Sequence, residues 1–182
     1  MSFLVLGNQG FLGSYICEEF FRLSIKFIPI NSQEWKKLRT IDFKKWLIDK
    51  QIKNIIFCCG YSLRFSHEEI DNINELETIN FITNHSNCKI IYLSSSLVYG
   101  LNENNNYLDK IDENVKATPS GAYGMYKRIL ERIILNSNPN NCILRLVSCI
   151  GNRKKSGLIK SIENQFNNGN SSIKMLHGNT TR

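Results

Sequence analysis

Phe3-Leu4-Val5-Leu6-Gly7-Asn8-Gln9-Gly10-Phe11-Leu12-Gly13 opens the chain, and its reading decides the fold. Four apolar residues read as a buried strand, three glycines spaced three apart follow, and Phe11 to Leu23 reads as a helix. A strand passing through a glycine turn into a helix is the start of a dinucleotide-binding βα unit. Gly7 permits the tight turn, Gly10 lets the backbone approach a pyrophosphate, and Gly13 lets the helix pack closely. Gln9, Phe11 and Leu12 belong to the same loop and join the glycines as candidate cofactor-binding residues. The helix start adds amide donors and a positive dipole end for the phosphates.

Outward from this unit, short uncharged strands alternate with helices. Lys26 to Ile30 reads as a strand, and Thr40 to Lys50 as a helix with Ile41, Trp46, Leu47 and Ile48 on its apolar face. Next come strand Asn54 to Cys59, a short helix around Ile70 to Ile82, and strand Lys89 to Leu93. A polar loop from Asn102 to Asn106 leads to helix Tyr123 to Leu135 and strand Cys142 to Val147. The alternation predicts an α/β fold, a Rossmann-like doubly wound parallel sheet with helices on both faces. After Gly151 the pattern thins to a helix over Leu158 to Phe166 and a strand over Ser171 to Leu176. We expect an NAD(P)-binding domain over 1–151 and the start of a second part over 152–182.

Composition narrows the partners. The 182 residues carry a net charge of +7, but the basic residues are scattered, with Arg153-Lys154-Lys155 the one dense cluster. A polyphosphate-bearing substrate accounts for such a surface as well as nucleic acid does. No aromatics are evident beside the positive charge, so no nucleic-acid partner is expected. The cysteines at 17, 58, 59, 88, 142 and 149 form no C-x-x-C pair, and no metal is expected. No apolar run reaches membrane-spanning length and no basic leader precedes the first strand, which predicts no membrane partner and a cytoplasmic location.

The end of the second strand bears on cofactor choice. An acid at Asn31 or Ser32 would bond the adenosine ribose and favour NAD. Neither is acidic, and Glu34 is the first acid. Lys36, Lys37 and Arg39 suit a 2′-phosphate, or are the solvated face of a loop. The expectation is NAD or NADP, with a lean to NADP and with Asn31 and Ser32 as candidate contacts.

Chemistry is suggested by Tyr123-Gly124-Met125-Tyr126-Lys127, which sets Tyr123 and Lys127 on one helix face. A free phenol titrates near pH 10. The Lys127 ammonium, with the charge of an oxidised nicotinamide, is expected to lower that value so that Tyr123 exchanges a proton with a substrate hydroxyl. Tyr126 lies on a different face from Lys127. Ser94-Ser95-Ser96, at the carboxyl end of a strand, offers a hydroxyl where α/β folds bind ligands.

Four segments together carry a family resemblance: Gly7 to Gly13; Ser94-Ser95-Ser96-Leu97-Val98-Tyr99-Gly100; Pro119-Ser120-Gly121-Ala122-Tyr123-Gly124-Met125-Tyr126-Lys127; and Ile143-Leu144-Arg145-Leu146 leading to Gly151. They resemble the extended short-chain dehydrogenases, the nucleotide-sugar epimerases, dehydratases and reductases. The resemblance implies hydride transfer on a nucleotide-linked sugar, with Ser95, Tyr123 and Lys127 as the catalytic set. It implies that Lys127 also holds the nicotinamide ribose, that Gly60 lines the cofactor cleft, and that the chain forms a homodimer. That dimer would use the Tyr123 helix and the helix near Ile70 to Ile82, whose polar residues (Asn72, Asn74, Glu75, Glu77 and Asn80) would weaken it. Cys59-Gly60 and Ser148 depart from the usual residues at their positions. Family members continue past the point resembled by Gly178-Asn179-Thr180-Thr181-Arg182 into a lobe that grips nucleotide and sugar. That lobe is expected to be largely missing here, so the alternative function is a catalytically silent NAD(P)-binding module or truncated remnant.

Overall fold

The computed structural model describes residues 2–60, 75–100, 111–153 and 158–168. Five strands, β1 (Ser2–Leu6), β2 (Phe27–Ile30), β3 (Ile52–Phe57), β4 (Lys89–Ser95) and β5 (Cys142–Leu146), form one sheet in the order β2-β1-β3-β4-β5. Every neighbouring pair is parallel. Leu4, Val5 and Leu6 of β1 are fully buried, as are Ile55 and Phe57 of β3, because crossover helices cover both faces of a parallel sheet. From β1 the chain steps out to β2, returns past β1 to β3, and continues to β5. The direction reverses at β1 and β3, so their carboxyl ends flank the crevice where open α/β sheets bind ligands.

On one face, α1 (Phe11–Arg22) is fastened by Phe20, whose ring lies 5.0 Å from that of Phe3 and 5.7 Å from that of Phe27. Leu4, Leu6, Ile55 and Phe57 join a core with α2 (Ser32–Leu38), α3 (Phe43–Asp49), α4 (Glu75–His85) and α5 (Ala122–Ser137). Trp35 of α2 meets Phe43 and Phe81 edge-on, each at 5.5 Å. Its indole donates to Thr78 Oγ1 at 3.2 Å, which satisfies the one polar atom of a buried ring. Compact packing divides the chain into two units, Met1–Val147 with the sheet and α1 to α5, and Ser148–Arg182 with α6 (Leu158–Asn167).

Several boundaries differ from expectation. The stretch holding Lys36 and Lys37 is helical, because Asn31 Oδ1 accepts from Gln33 N and Glu34 N while Glu34 Oε2 accepts from Asn31 N. This capping box satisfies amides that a helix start otherwise leaves open. α3 begins at Phe43, where Asp42 caps it. Phe43 and Leu47 therefore face the core, while Ile41 and Ile48 are exposed. β3 spans Ile52–Phe57 rather than 54 to 59. The expected loop at 102–106, the strand at 171–176 and the residues at 70–74 lie outside the described residues. Among the described residues, no helix is long and apolar enough to cross a membrane, and no group of three or more His, Cys, Asp or Glu is placed to hold a metal ion.

Candidate functional site

The glycine loop ties three strand ends together. Gly7 N donates to Ile30 O at 3.0 Å, and Cys58 N donates to Leu6 O at 2.9 Å. Gly7 has φ +85°, and a Cβ on it would lie 2.9 Å from Cys59 Sγ, so both its backbone conformation and its surroundings require glycine. A Cβ on Gly13 would sit 2.1 Å from Gly7 O, so α1 rests directly on the loop. Gly10 N-caps α1 with no side-chain hydrogen bond. Gln9 and Gly10 are exposed, and Phe11 and Leu12 are half-buried. Asn8 Oδ1 is buried within the loop and has no hydrogen-bond partner among the described residues. A backbone cradle at a helix start, formed by Gly7, Gly10 and Gly13, fits a pyrophosphate-bearing cofactor.

The turn after β4 is locked onto α5. Ser95 Oγ accepts from Leu97 N at 3.2 Å and caps the 3-10 helix Ser96–Tyr99. Ser94 is buried and donates to Glu131 Oε1 at 2.7 Å, so its hydroxyl is committed to the core. A Cβ on Gly124 would lie 2.3 Å from Leu97 O. This close approach sets the helix carrying Tyr123 and Lys127 directly against the Ser95 turn.

Lys127 is buried and points into a triangle of hydrogen bonds. Its Nζ donates to Glu75 Oε1 at 2.6 Å and to Tyr92 Oη at 2.8 Å, and Tyr92 Oη donates to the same Glu75 oxygen at 2.7 Å. The Lys127 and Glu75 side chains are 3% and 0% exposed. A Cβ on Gly60 would lie 3.7 Å from Lys127 Nζ, which places the loop after β3 beside this ammonium. The Nζ stands 5.8 Å from the centre of the Tyr123 ring and 4.8 Å from that of Tyr92.

Burial first, and then the charge of Glu75, push the Tyr123 phenol up rather than down. The Lys127 ammonium is paired with the Glu75 carboxylate. Tyr126 is pushed up to about 12 by burial and by Glu75. Tyr92 is raised much further by the same two causes. Burial likewise raises Cys58, and Cys59 reaches about 12.

Two acids central to the site gave no sequence signal. Glu75, one of the polar residues expected to weaken a dimer helix, is buried and faces inward. Glu131 is fully buried and holds Arg145 through two bonds, Nε at 2.9 Å and Nη2 at 2.8 Å. It also accepts from Arg128 Nη1 at 2.8 Å. The Arg145 guanidinium lies 4.7 Å from the Tyr99 ring centre, so Glu131 braces β4, β5 and the Ser95 turn from behind. At the β2 end, Asn31 is engaged in its helix cap and Ser32 starts α2. Arg39 pairs with Glu77 and covers the Phe81 ring, while Lys36 and Lys37 are exposed.

The family model described as "NAD dependent epimerase/dehydratase family" matches residues 3–182. Among solved structures, a dTDP-4-dehydrorhamnose reductase from Clostridium acetobutylicum superposes with a TM-score of 0.68 at 20% identity, over 93% of this chain and 59% of that one. A dTDP-glucose 4,6-dehydratase from Bacillus anthracis, solved with NAD, gives 0.69 at 16% identity, over 93% and 62%. A UDP-glucuronic acid 4-epimerase from Bacillus cereus, also with NAD, gives 0.64 at 17% identity, over 92% and 64%. The chain thus spans 59% to 64% of the length of these structures. Likeness at this identity establishes the shared fold. No curated protein matches.

Proposed function

The chain belongs to the NAD dependent epimerase/dehydratase family, and on that footing we propose that it is an NAD(P)-dependent epimerase, dehydratase or reductase of a nucleotide-linked sugar. The observation that carries this reading is the approach of Gly60 to Lys127 Nζ, 3.7 Å from where a Cβ would stand. It joins the crevice at β1 and β3 to the helix that bears Tyr123.

In this reading Gly7, Gln9, Gly10, Phe11, Leu12 and Gly13 hold the pyrophosphate, and Asn31 and Ser32 border the adenosine ribose. Gly60, Tyr123 and Lys127 border the nicotinamide ribose. The cofactor, when bound, accepts or supplies hydride. Tyr123 exchanges a proton with the substrate oxygen, and Ser95 donates a hydrogen bond to that oxygen. With Arg39 held by Glu77, the lean to NADP rests on Lys36 and Lys37. Residues 1–151 form the cofactor-binding domain, and 152–182 begin the part that grips the substrate. The reading includes a cytoplasmic location and a homodimer through α4 and α5, where Met125 and Ile129 are 50% and 54% exposed.

A second reading, a nucleotide-binding module without turnover, draws on the commitment of Lys127 to Glu75. Both readings share the first test, a fluorescence titration of the chain with NADH and NADPH. Saturable binding is expected, and Gly10→Val should abolish it with the far-UV spectrum unchanged, because a branched side chain stands where the pyrophosphate lies. Absence of binding to either nucleotide overturns both readings.

A further inference from the structure

We infer that Glu75 and Tyr92 are positioning residues for the nicotinamide side of the cofactor. They fix the Lys127 ammonium before a nucleotide arrives and leave one of its N–H groups for a ribose hydroxyl, reached across Gly60. The inference rests on the proposed cofactor site and adds to it the two residues that ready Lys127 for its ligand.

Three elements converge on one nitrogen. Lys127 reaches in from α5, Glu75 is the first residue of α4, and Tyr92 stands on β4. Lys127 Nζ donates to Glu75 Oε1 at 2.6 Å and to Tyr92 Oη at 2.8 Å. Tyr92 Oη closes the triangle on the same Glu75 oxygen at 2.7 Å. Tyr92 is fully buried, with its ring 5.9 Å from that of Phe57, so the core holds its hydroxyl in place. A lysine stem is flexible and its ammonium donors rotate. Here the fold removes that freedom, and a ligand does not bear the cost of ordering the side chain.

An ammonium carries three donors, and among the described residues two are spent. An ion pair that only held the core together would be expected to match the third as well, because an unmatched buried donor is costly. Gly60 supplies the way to it. Beyond its chain neighbours, Lys127 Nζ is the one atom among the described residues that a Cβ on Gly60 would meet within 4 Å. Gly60 is exposed, whereas the Lys127 side chain is not. A ligand lying over Gly60 therefore meets the ammonium with no side chain in front of it. Cys59, the residue before, packs against Gly7 of the glycine loop, so this approach opens from the crevice that the loop borders. The Glu75 carboxylate offsets the ammonium charge at close range. The remaining N–H thus suits a neutral hydroxyl better than another phosphate.

The test compares ADP-ribose, which carries the second ribose, with ADP, which ends at the pyrophosphate, by titration calorimetry on the full chain. The wild type should bind ADP-ribose more tightly than ADP, and Lys127→Met should remove the difference. Glu75→Gln keeps the side-chain shape but loses the charge that fixes the ammonium. It should weaken ADP-ribose by about tenfold or more, the loss of a charge-assisted hydrogen bond, with ADP affinity unchanged. Tyr92→Phe keeps the ring but loses the hydroxyl, and should weaken ADP-ribose alone by several-fold. A merely structural role would weaken both ligands together or neither, and either result overturns the proposal. If circular dichroism shows that Glu75→Gln does not fold, Tyr92→Phe decides by the same ratio. A wild type that binds neither ligand overturns the cofactor reading and this inference with it. A wild type that binds the two ligands equally, or variants that keep the wild-type ratio, overturn this inference alone.

Discussion

Replacing Gly124 by alanine separates the contribution of close helix packing from that of helix propensity. The new Cβ would stand 2.3 Å from Leu97 O, 3.0 Å from Leu97 C and 3.1 Å from Pro119 Cβ. Restoring an ordinary 3.4 Å contact to the carbonyl requires α5 and the Ser95 turn to part by about 1.1 Å. Gly124 is the third residue of α5, where alanine gains at most about 1 kcal/mol over glycine. Overpacking a fitted interior costs about 1–3 kcal/mol, and the obstacle here is backbone, which cannot swing aside. Overpacking therefore wins, and a net loss of up to about 2 kcal/mol is expected, or up to roughly 8 °C in Tm for a chain of this size. Gly121→Ala, at the N-cap of the same helix, is the control. Its Cβ meets nothing within 4 Å, so it should lose less than about 1 kcal/mol. Urea unfolding followed by circular dichroism measures both variants. If Gly124→Ala is as stable as the wild type, the approach of α5 to the Ser95 turn is not as close as the structure has it. The same separation displaces Tyr123 from Ser95, and a misplacement near 1 Å can reduce turnover on the order of 100-fold.

Two further substitutions test the supports of the site. Glu131→Gln should destabilise the chain by about 3 kcal/mol at pH 7, since it leaves the Arg145 charge without its buried partner. Burial raises the Glu131 carboxyl, but its bonds to Arg145, Ser94 and Arg128 outweigh burial and hold it below the usual glutamate range. Its stabilisation is therefore full above the unfolded pKa and fades as pH falls through the folded one. The gap between wild type and Glu131→Gln, measured by urea unfolding, should accordingly narrow below about pH 4, and a gap constant with pH would refute the assignment. Asn31→Ala should cost about 0.5–2 kcal/mol by removing the α2 cap, and unfolding midpoints within error of wild type would show that the capping box is dispensable.

Much of the fold was legible because parallel strands write themselves as short apolar runs. Phe3 to Leu6, Lys89 to Leu93 and Cys142 to Val147 each lie within two residues of the observed strands. The glycine spacing was equally plain, and its two closest contacts, at Gly7 and Gly13, bear out the packing argument. α2 was missed although its signal was present, since Asn31 and Glu34 stand three apart as a capping box requires. The basic residues of that stretch instead suggest 2′-phosphate contacts or the solvated face of a loop. Glu75 and Glu131 were not legible at all. A buried carboxylate looks like a surface one in sequence, and only the meeting of α4, β4 and α5 reveals its partners. For the same reason the placement of Tyr123 and Lys127 on one helix was legible, while the carboxylate paired with Lys127 was not. A helix repeat locates the ammonium on its own helix but not the carboxylate that faces it from another.

Comparing Tyr123→Phe with the wild type separates enzyme from silent module most directly. The assay follows nicotinamide absorbance on a nucleotide-linked keto sugar, with nucleotide affinity measured on the same samples. The account predicts turnover by the wild type and a fall of roughly 10²- to 10⁴-fold in the variant, the usual contribution of a positioned acid or base, with nucleotide affinity little changed. Wild-type turnover in Tyr123→Phe would contradict it.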